Sequence, residues 1–492
     1  MKYSNYRFTL AIALAVCTLN LTVFAQAQTV TYLADFDGNN GYLPMNSVVQ
    51  GTDGDFYGTS SAPWQSAVGN VFRVTTAGEI TSIYKFCSQP NCADGSNPYA
   101  LSLGSDGNFY GTAQNGGSYA NSIFGSGTIF KVSPGGEFTL LHTFCSDASC
   151  SDGQYPRGLL LGRDGNFYGT TESGGANAAG TLFRMSPGGE ITEVYSFCSS
   201  TACADGGGPF LPPVQAADGN FYGTTAGGGA DNGGVIYQLT PSGAYEVLYN
   251  FCDPTTPNCP DGSYLPTIAQ GADGNLYGTT ETGGTYNNGV VFRLTSAGDY
   301  TVLHSFLSGK SGFPVPPLML ASDGNLYGTT GGGTSWSWGP ATLGSIFQIS
   351  KSGTYKQLPF FKAGRDGYDP FDSLFQATDG DFYGTTGYGG LSGNTNQLGF
   401  TGFGTVFRFS NSLHPLVETV PVGGKPGQSV LVLGNRLTGT TSVTFNGIPA
   451  NFTVESDTYI KATVPTGATS GAVSVTTPDG TLNSSPQFVV TQ

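Results

Sequence analysis

The sequence predicts an all-β chain: a seven-bladed β-propeller followed by a small immunoglobulin-like β-sandwich. Three observations predict it. The heptapeptide Asp-Gly-Asn-Phe-Tyr-Gly-Thr begins at Asp106, Asp164 and Asp218, and close variants begin at Asp53, Asp273, Asp323 and Asp379, seven copies at intervals of 50 to 58 residues. Self-similarity at such a period marks a repeat architecture. Each copy lies in a unit that reads as four short strands joined by glycine turns. The composition agrees: 76 glycines, 13% aromatic and 10% charged residues among 492 suit many short strands and argue against disorder.

The chain opens with Lys2 and Arg7, an apolar run over residues 8–24, and Ala25-Gln26-Ala27. A basic start, a short apolar run and small residues at the end form a secretory signal peptide, residues 1–27. A retained membrane anchor fits less well, because the run is short and ends in a cleavage pattern. Cys17 follows Val16, where a lipidation site would want a small residue. The net charge of -15 with only 18 Lys and Arg provides no basic face for nucleic acid or for anionic membranes.

The repeat domain is expected over residues 28–411. In the unit around Asp164, Gly158-Leu159-Leu160-Leu161 is an apolar run of strand length. Asp164-Gly165 makes a tight turn, because glycine takes positive φ freely. Residues 166–171 form the second strand, 181–185 the third and 191–197 the fourth, with a Gly-Gly loop after the second and a Pro-Gly-Gly turn after the third. Residues 29–36 (TVTYLADF) look like a fourth strand alone, and the last unit stops after its third strand, residues 404–409. Pairing these ends would close a ring and remove exposed sheet edges. A β-helix or open solenoid would leave the complementary ends unexplained. Strand parity puts both tight turns on one face and every long loop on the other.

Eight cysteines remain after Cys17: Cys87/Cys92, Cys145/Cys150, Cys198/Cys203 and Cys252/Cys259, each pair at the same place in its repeat. In an exported chain, pairs in register imply disulfides. A zinc site is disfavoured, since the pairs belong to different repeats and no histidine accompanies them. Closing so short a loop contributes only about 2 kcal/mol each, so the bridges brace loops.

Residues 412–415 are a linker. Residues 416–492 read as a separate module, with strands near 428–433, 442–445, 459–464 and 471–476 and turn signals at Asn446-Gly447 and Asp479-Gly480. Short strands at this spacing suggest an immunoglobulin-like sandwich without the cysteine pair of antibody domains.

Two resemblances follow from these residues. GQSVLVLG (427–434), VTFNG (443–447), IKATVP (460–465) and GAVSVTTPDG (471–480) resemble an IPT/TIG domain. The seven motifs, each with a following Gly-Gly and a VFR-like strand, resemble the GloVer tandem-repeat family of bacterial exported proteins over about residues 29–409. That resemblance implies export and surface display, secreted or at the cell surface, and no established reaction. The family's C-terminal anchors have no counterpart in residues 487–492, so no membrane anchor is expected after signal cleavage.

For chemistry, the repeated aspartates are expected to serve their turns, where a carboxylate bonds nearby backbone N–H groups. Asp53/Asp55 and Asp379/Asp381 lack the clustered oxygens of a calcium loop, and no metal or cofactor is expected. His142 and His304 share a repeat position with Tyr84, Tyr195 and Tyr249, which suggests packing. No nucleophile elbow, zinc-protease motif or phosphate loop is present. Glycoside cleavage needs only two carboxylates, and Asp366, Asp369, Asp372 and Glu193 stand outside the repeat pattern. Four consecutive loops around a closed ring carry aromatics: Trp64; Tyr119 and Phe124; Trp336 and Trp338; Phe400 and Phe403. They suggest an aromatic crescent that stacks on sugar rings or grips a protein loop, or aromatics folded onto their own blades. The expected function is a non-enzymatic binding or adhesion scaffold for an extracellular glycan or surface protein. A polysaccharide-active hydrolase or lyase and a structural coat component are the alternatives.

Overall fold

Each copy of the motif makes the turn into the second strand of one antiparallel sheet. The protein is described by a computed structural model over residues 28–61, 68–117, 125–147, 149–251, 259–307, 312–332, 343–362, 367–390 and 402–491. The chain is β throughout these residues apart from two short 3-10 turns, Pro90–Cys92 and Thr201–Cys203. Seven four-stranded sheets follow one another. We number them 1 to 7: residues 49–85, 96–143, 154–196, 214–250, 267–305, 314–360, and 375–410 joined by the strand Thr29–Asp35. Within sheet 3 the strands Gln154–Leu161, Phe167–Ser173, Thr181–Met185 and Ile191–Ser196 pair in chain order. The pairing between third and fourth strands shifts at one place in the repeat, at Leu182/Phe183 here and at Val71/Phe72, Ile129/Phe130, Ile236/Tyr237 and Val291/Phe292 elsewhere. A bulge fixed in this position adds twist to each sheet. The strand Thr29–Asp35 pairs with Thr405–Ser410, Thr29 opposite Ser410 and Asp35 opposite Thr405, as the complementary ends predict.

The motif does two things. Its aspartate holds its own turn: Asp164 accepts the Asn166 N–H at 3.1 Å and the Tyr168 hydroxyl at 2.9 Å. The same Tyr-to-Asp bond recurs in all seven copies, from Tyr57–Asp53 at 2.7 Å to Tyr383–Asp379 at 2.8 Å. The tyrosine ring then packs against the motif of the next sheet. Tyr57 packs on Phe109, Tyr110 on Phe167, Tyr168 on Phe221 and Tyr327 on Phe382, with centroids 4.2 to 4.6 Å apart and ring planes 30° to 36° apart. Tyr383 of sheet 7 stacks on Phe56 of sheet 1 at 4.0 Å. One short sequence therefore makes both the turn and the seam. Replacing Tyr168 by Phe is expected to cost about 1 kcal/mol for the lost hydrogen bond. Replacing it by Ala is expected to cost about 3–5 kcal/mol, because the seam with Phe221 empties. Urea midpoints of the two variants check this, and equal losses would refute the division of labour.

A second seam uses proline. Pro156, at the start of sheet 3, lies so close to Gly127 of sheet 2 that a Cβ there would sit 2.3 Å from its ring. Pro44, leading into sheet 1, meets Gly404 of sheet 7 in the same way, at 2.6 Å. Thr385 donates to the carbonyls of Pro44 at 3.2 Å and Asn46 at 3.1 Å. Sheets 1 and 7 are thus joined by the contacts that join their neighbours.

The cysteine pairs Cys87–Cys92, Cys145–Cys150 and Cys198–Cys203 are disulfides. Of the fourth expected pair, Cys252/Cys259, the structure describes one member: Cys259 is disulfide-bonded, whereas Cys252 lies outside the described residues. Cys259 has the positive φ of the second cysteine in the other pairs, 44° against 52° at Cys92, 46° at Cys150 and 55° at Cys203. Its carbonyl accepts the Gly262 and Gly284 N–H groups as that of Cys150 accepts those of Gly153 and Gly175. Beside each of the first three bridges an aspartate takes the aromatic of the fourth strand: Tyr84–Asp94 at 2.8 Å, His142–Asp152 at 2.9 Å and Tyr195–Asp205 at 2.7 Å. His142 stands in for a tyrosine hydroxyl here, and His304 stacks on Tyr355. Both histidines are packing residues.

Residues 416–491 form two further four-stranded sheets and a two-stranded pair. The strands Ser429–Leu433, Ser442–Phe445, Tyr459–Thr463 and Val473–Thr477 lie where the apolar runs predict. Val430, Val432, Val443, Phe445, Ile460 and Val475 make the core between the sheets. Leu431 and Leu433 point the other way and join Val420, Leu101, Leu103, Leu159 and Leu161 in one cluster. The C-terminal sheets are therefore packed on the repeat sheets, on the side of the Asp-Gly turns. Thr458 donates to the Thr52 carbonyl at 2.6 Å and Asn435 to the Thr378 hydroxyl at 2.7 Å. This module is a cap on the repeat sheets. The strand Ser429–Leu433 is buried on both faces, which explains its unbroken apolar run.

Candidate functional site

Each sheet is entered through a short segment that ends in a proline. The residue before that proline has positive φ in most repeats, as at Leu43 (40°), Asn97 (54°), Tyr155 (58°), Leu265 (46°) and Asp369 (59°). Such backbone is strained for residues other than glycine. It turns the residue after the proline inward, away from the disulfide loops. Met45, Tyr99, Arg157, Phe210, Val315 and Phe371 occupy that position, and all six line one cavity of about 230 Å3. Leu265, Glu281, Asp372, Asn97 and Gln114 complete its wall, so all seven sheets contribute. The cavity lies on the long-loop side, opposite the cap.

Arg157 is the most constrained group in it. It is 8% exposed. Its guanidinium lies 4.1 Å from the Phe210 ring and 5.5 Å from the Tyr99 ring, a favourable placing for a cation over aromatic faces. Nε donates to Glu172 at 3.2 Å, and a second nitrogen pairs with the same carboxylate. Burial pushes the Tyr99 hydroxyl up to about 12, against the pull of Arg157. Asn97 donates to Gln114 at 2.8 Å.

Two carboxyls line the same space. Asp372 accepts the N–H groups of Ser47 and Ser373, each at 2.6 Å. Burial raises it to about 7 although both hydrogen bonds favour the anion. Burial also raises Glu281 to about 7, and none of the described residues bonds its carboxylate. Asp369 lies behind this wall, 7% exposed. It accepts the Gly332 N–H at 2.7 Å and is raised by burial to about 6.

The structure distributes the sequence-predicted residues unevenly. Trp64, Tyr119, Phe124, Trp336, Trp338, Phe400 and Asp366 lie outside the described residues. Phe403 is described, and it packs edge-on against Tyr42 at 4.9 Å, with its carbonyl accepting the Leu43 N–H. This residue of the crescent is folded onto its own neighbours. Glu193 is exposed on a fourth strand. Asp53 and Asp55 are occupied by Arg73, and Asp379 and Asp381 by Arg408. Among the described residues no group of three or more His, Cys, Asp or Glu could hold a metal ion. Of the acids singled out that are described, Asp372 alone lines the cavity. Sequence reasoning missed Tyr99, Arg157, Phe210, Glu281 and Phe371. A signal was available: the residue after the lead-in proline is Met, Tyr, Arg, Phe, Thr, Val and Phe in the seven units while its surroundings repeat, and all but Thr267 line the cavity.

These features define an all-β repeat protein with an internal cavity built from what the repeats do not share. The chain belongs to the Gloeobacter/Verrucomicrobia repeat family, whose model matches residues 87–267 and 255–454. Among curated proteins no sequence matches. A solved gluconolactonase from Xanthomonas campestris is 11% identical, with 64% of this chain and 95% of that one covered and a TM-score of 0.35. The extracellular domain of a protein provisionally described as a hybrid two-component system, from B. thetaiotaomicron, is 10% identical. Its match covers 94% of this chain and 55% of that one, at a TM-score of 0.47. Likenesses this distant carry no argument about activity. Among the described residues no helix is long and apolar enough to cross a membrane.

Proposed function

We propose that the seven sheets are the blades of a seven-bladed β-propeller, that residues 416–492 are an immunoglobulin-like sandwich of the IPT/TIG kind, and that the protein is an exported binding scaffold for an extracellular glycan or surface protein. The tyrosine seams, with Phe as partner at five junctions and Leu276 or Leu326 at the other two, run from sheet 1 through sheet 7 and back and support the ring. The disulfides support an oxidising destination beyond the cytoplasm. One observation carries the binding reading: a single cavity on the long-loop side receives a non-repeated side chain from every sheet. A cavity with aromatic and aliphatic walls and a few fixed polar groups is what ligand sites are made of. The Phe210, Phe313 and Phe371 rings offer apolar faces, and Asn97, Gln114 and Arg157 offer donors.

The test is a glycan array with the wild-type protein and Arg157→Ala. Binding by the wild type and at least a tenfold loss in the variant are expected; the variant should melt at a lower temperature, since a buried paired side chain is removed, and is assayed well below that temperature. Equal binding by both would put the ligand elsewhere. A hydrolase or lyase is the second reading, favoured by the two raised carboxyls of Asp372 and Glu281 in one cavity. A turnover assay on the bound glycans separates the two, since product formation supports only the second.

A further inference from the structure

The polar groups of the cavity are not equally satisfied. Arg157 is stacked between rings and paired with Glu172. Each oxygen of Asp372 already accepts a backbone N–H. Asn97 and Gln114 bond each other. Glu281 has no such partner among the described residues and faces the same space across the apolar side chains of Leu265 and Phe313. The charged and titratable residues lining the wall are Arg157, Glu281, Asp372 and Tyr99, and Glu172 cancels the cation. The cavity therefore holds an excess of negative charge in a place where burial makes that charge costly. A ligand that supplies a cation there relieves the cost. A carboxylate or sulfate ligand adds to it.

We propose that the cavity selects glycans bearing a protonated primary amine, with the ammonium met by the Glu281 carboxylate and assisted by Asp372. The sugar ring lies against Phe210, Phe313 or Phe371, and ring hydroxyls meet Asn97 and Gln114. This rests on the cavity being the binding site proposed above and adds the class of sugar that enters it. Glu281 would be a specificity-determining residue, since an N-acetylated sugar offers no charge to it. The pH dependence follows in sign. Burial favours the protonated acid, so a cation is held well only once Glu281 ionises, and affinity should rise with pH above 5.5 until the sugar amine itself loses its proton near neutrality. The Tyr99 hydroxyl stays neutral in that window.

The experiment is calorimetric titration of the full mature chain with three tetramers: glucosamine, N-acetylglucosamine and glucose. At pH 6.5, where the sugar amines still carry their protons, the glucosamine tetramer is expected to bind at least tenfold more tightly than the other two. At pH 5.5 that advantage should shrink. Glu281→Gln should bring the three to within about twofold while raising the melting temperature, because it removes a half-buried acid that has no partner among the described residues. Equal binding of all three by the wild type would overturn the inference and leave the binding role standing. A preference that survives in Glu281→Gln would also overturn it. No binding of any tetramer, with the array of the previous section also blank, would overturn both.

Discussion

A chain lacking residues 28–36 is expected to lose on the order of 5 kcal/mol of stability, because those residues complete sheet 7. Phe36 and Ala34 are buried. Phe36 sits edge-on against Phe72 of sheet 1 at 5.0 Å, and its N–H donates to Gly404. The shortened chain would leave Thr405–Ser410 as an open edge, a template for pairing with other molecules. Lower denaturant midpoints and concentration-dependent aggregation are the expected readings. Adding the peptide TVTYLADF in trans should restore part of the midpoint, since the ladder with Thr405–Ser410 needs no covalent link. An unchanged midpoint in the shortened chain would show that sheet 7 is complete without it.

Leu433→Asp should release the cap while sparing its interior. Leu431 and Leu433 pack on Leu101, Leu103 and Leu161, whereas Val430 and Val432 fill the sandwich core one residue away. A charge placed against that apolar patch costs about 3–5 kcal/mol. The expected result is rapid hydrogen exchange at Leu101–Leu103 and cleavage near residues 411–416, with the sandwich amides still protected. Val432→Asp should instead unfold the sandwich. If Leu433→Asp leaves exchange at the repeat strands unchanged, the cap contributes nothing there. Acidity modulates the same junction. Glu418 lines the space beneath the cap with Val420, Pro421, Leu103 and Leu161, and burial raises it to about 7. Its folded value lies above the usual carboxylate range, so ionisation opposes docking. Docking should weaken as pH climbs from about 4.5 to about 7 and level off above that. Glu418→Gln should abolish that slope.

The repeat architecture was legible because periodicity is a property of the chain itself. Asp164 to Thr170 fixes a turn and a strand wherever it occurs, and the lone strand at Thr29–Asp35 revealed its partner by the strand missing at the other end. The cavity was not legible in the same way. Arg157 and Glu281 are more than a hundred residues apart in sequence and meet one space only because the lead-in segments and the ends of the second strands converge on it. The repeat even concealed them, since attention goes to positions that recur. The strained residues before the prolines, such as Tyr155, leave no mark in composition. The docking of the cap had a signature that passed unread: a strand in a thin sandwich should alternate, yet Val430 to Leu433 is apolar without a break. The aromatic loops drew notice for their tryptophans, while Phe403 serves the packing of Tyr42.

The Tyr–Phe seam bears on how such a molecule changes over generations. Tyr57 meets Phe109 as Tyr110 meets Phe167 and as Tyr383 meets Phe56. Where leucine replaces phenylalanine, at Leu276 and Leu326, the preceding tyrosines Tyr222 and Tyr277 still pack against it. Every unit thus offers the same tenon and the same mortise to its neighbours. A copied or exchanged unit arrives already fitted, so joinery places almost no restraint on the one residue each unit turns toward the centre. Inheritance can rewrite that residue freely, and a shared carpentry becomes a supply of differently furnished interiors.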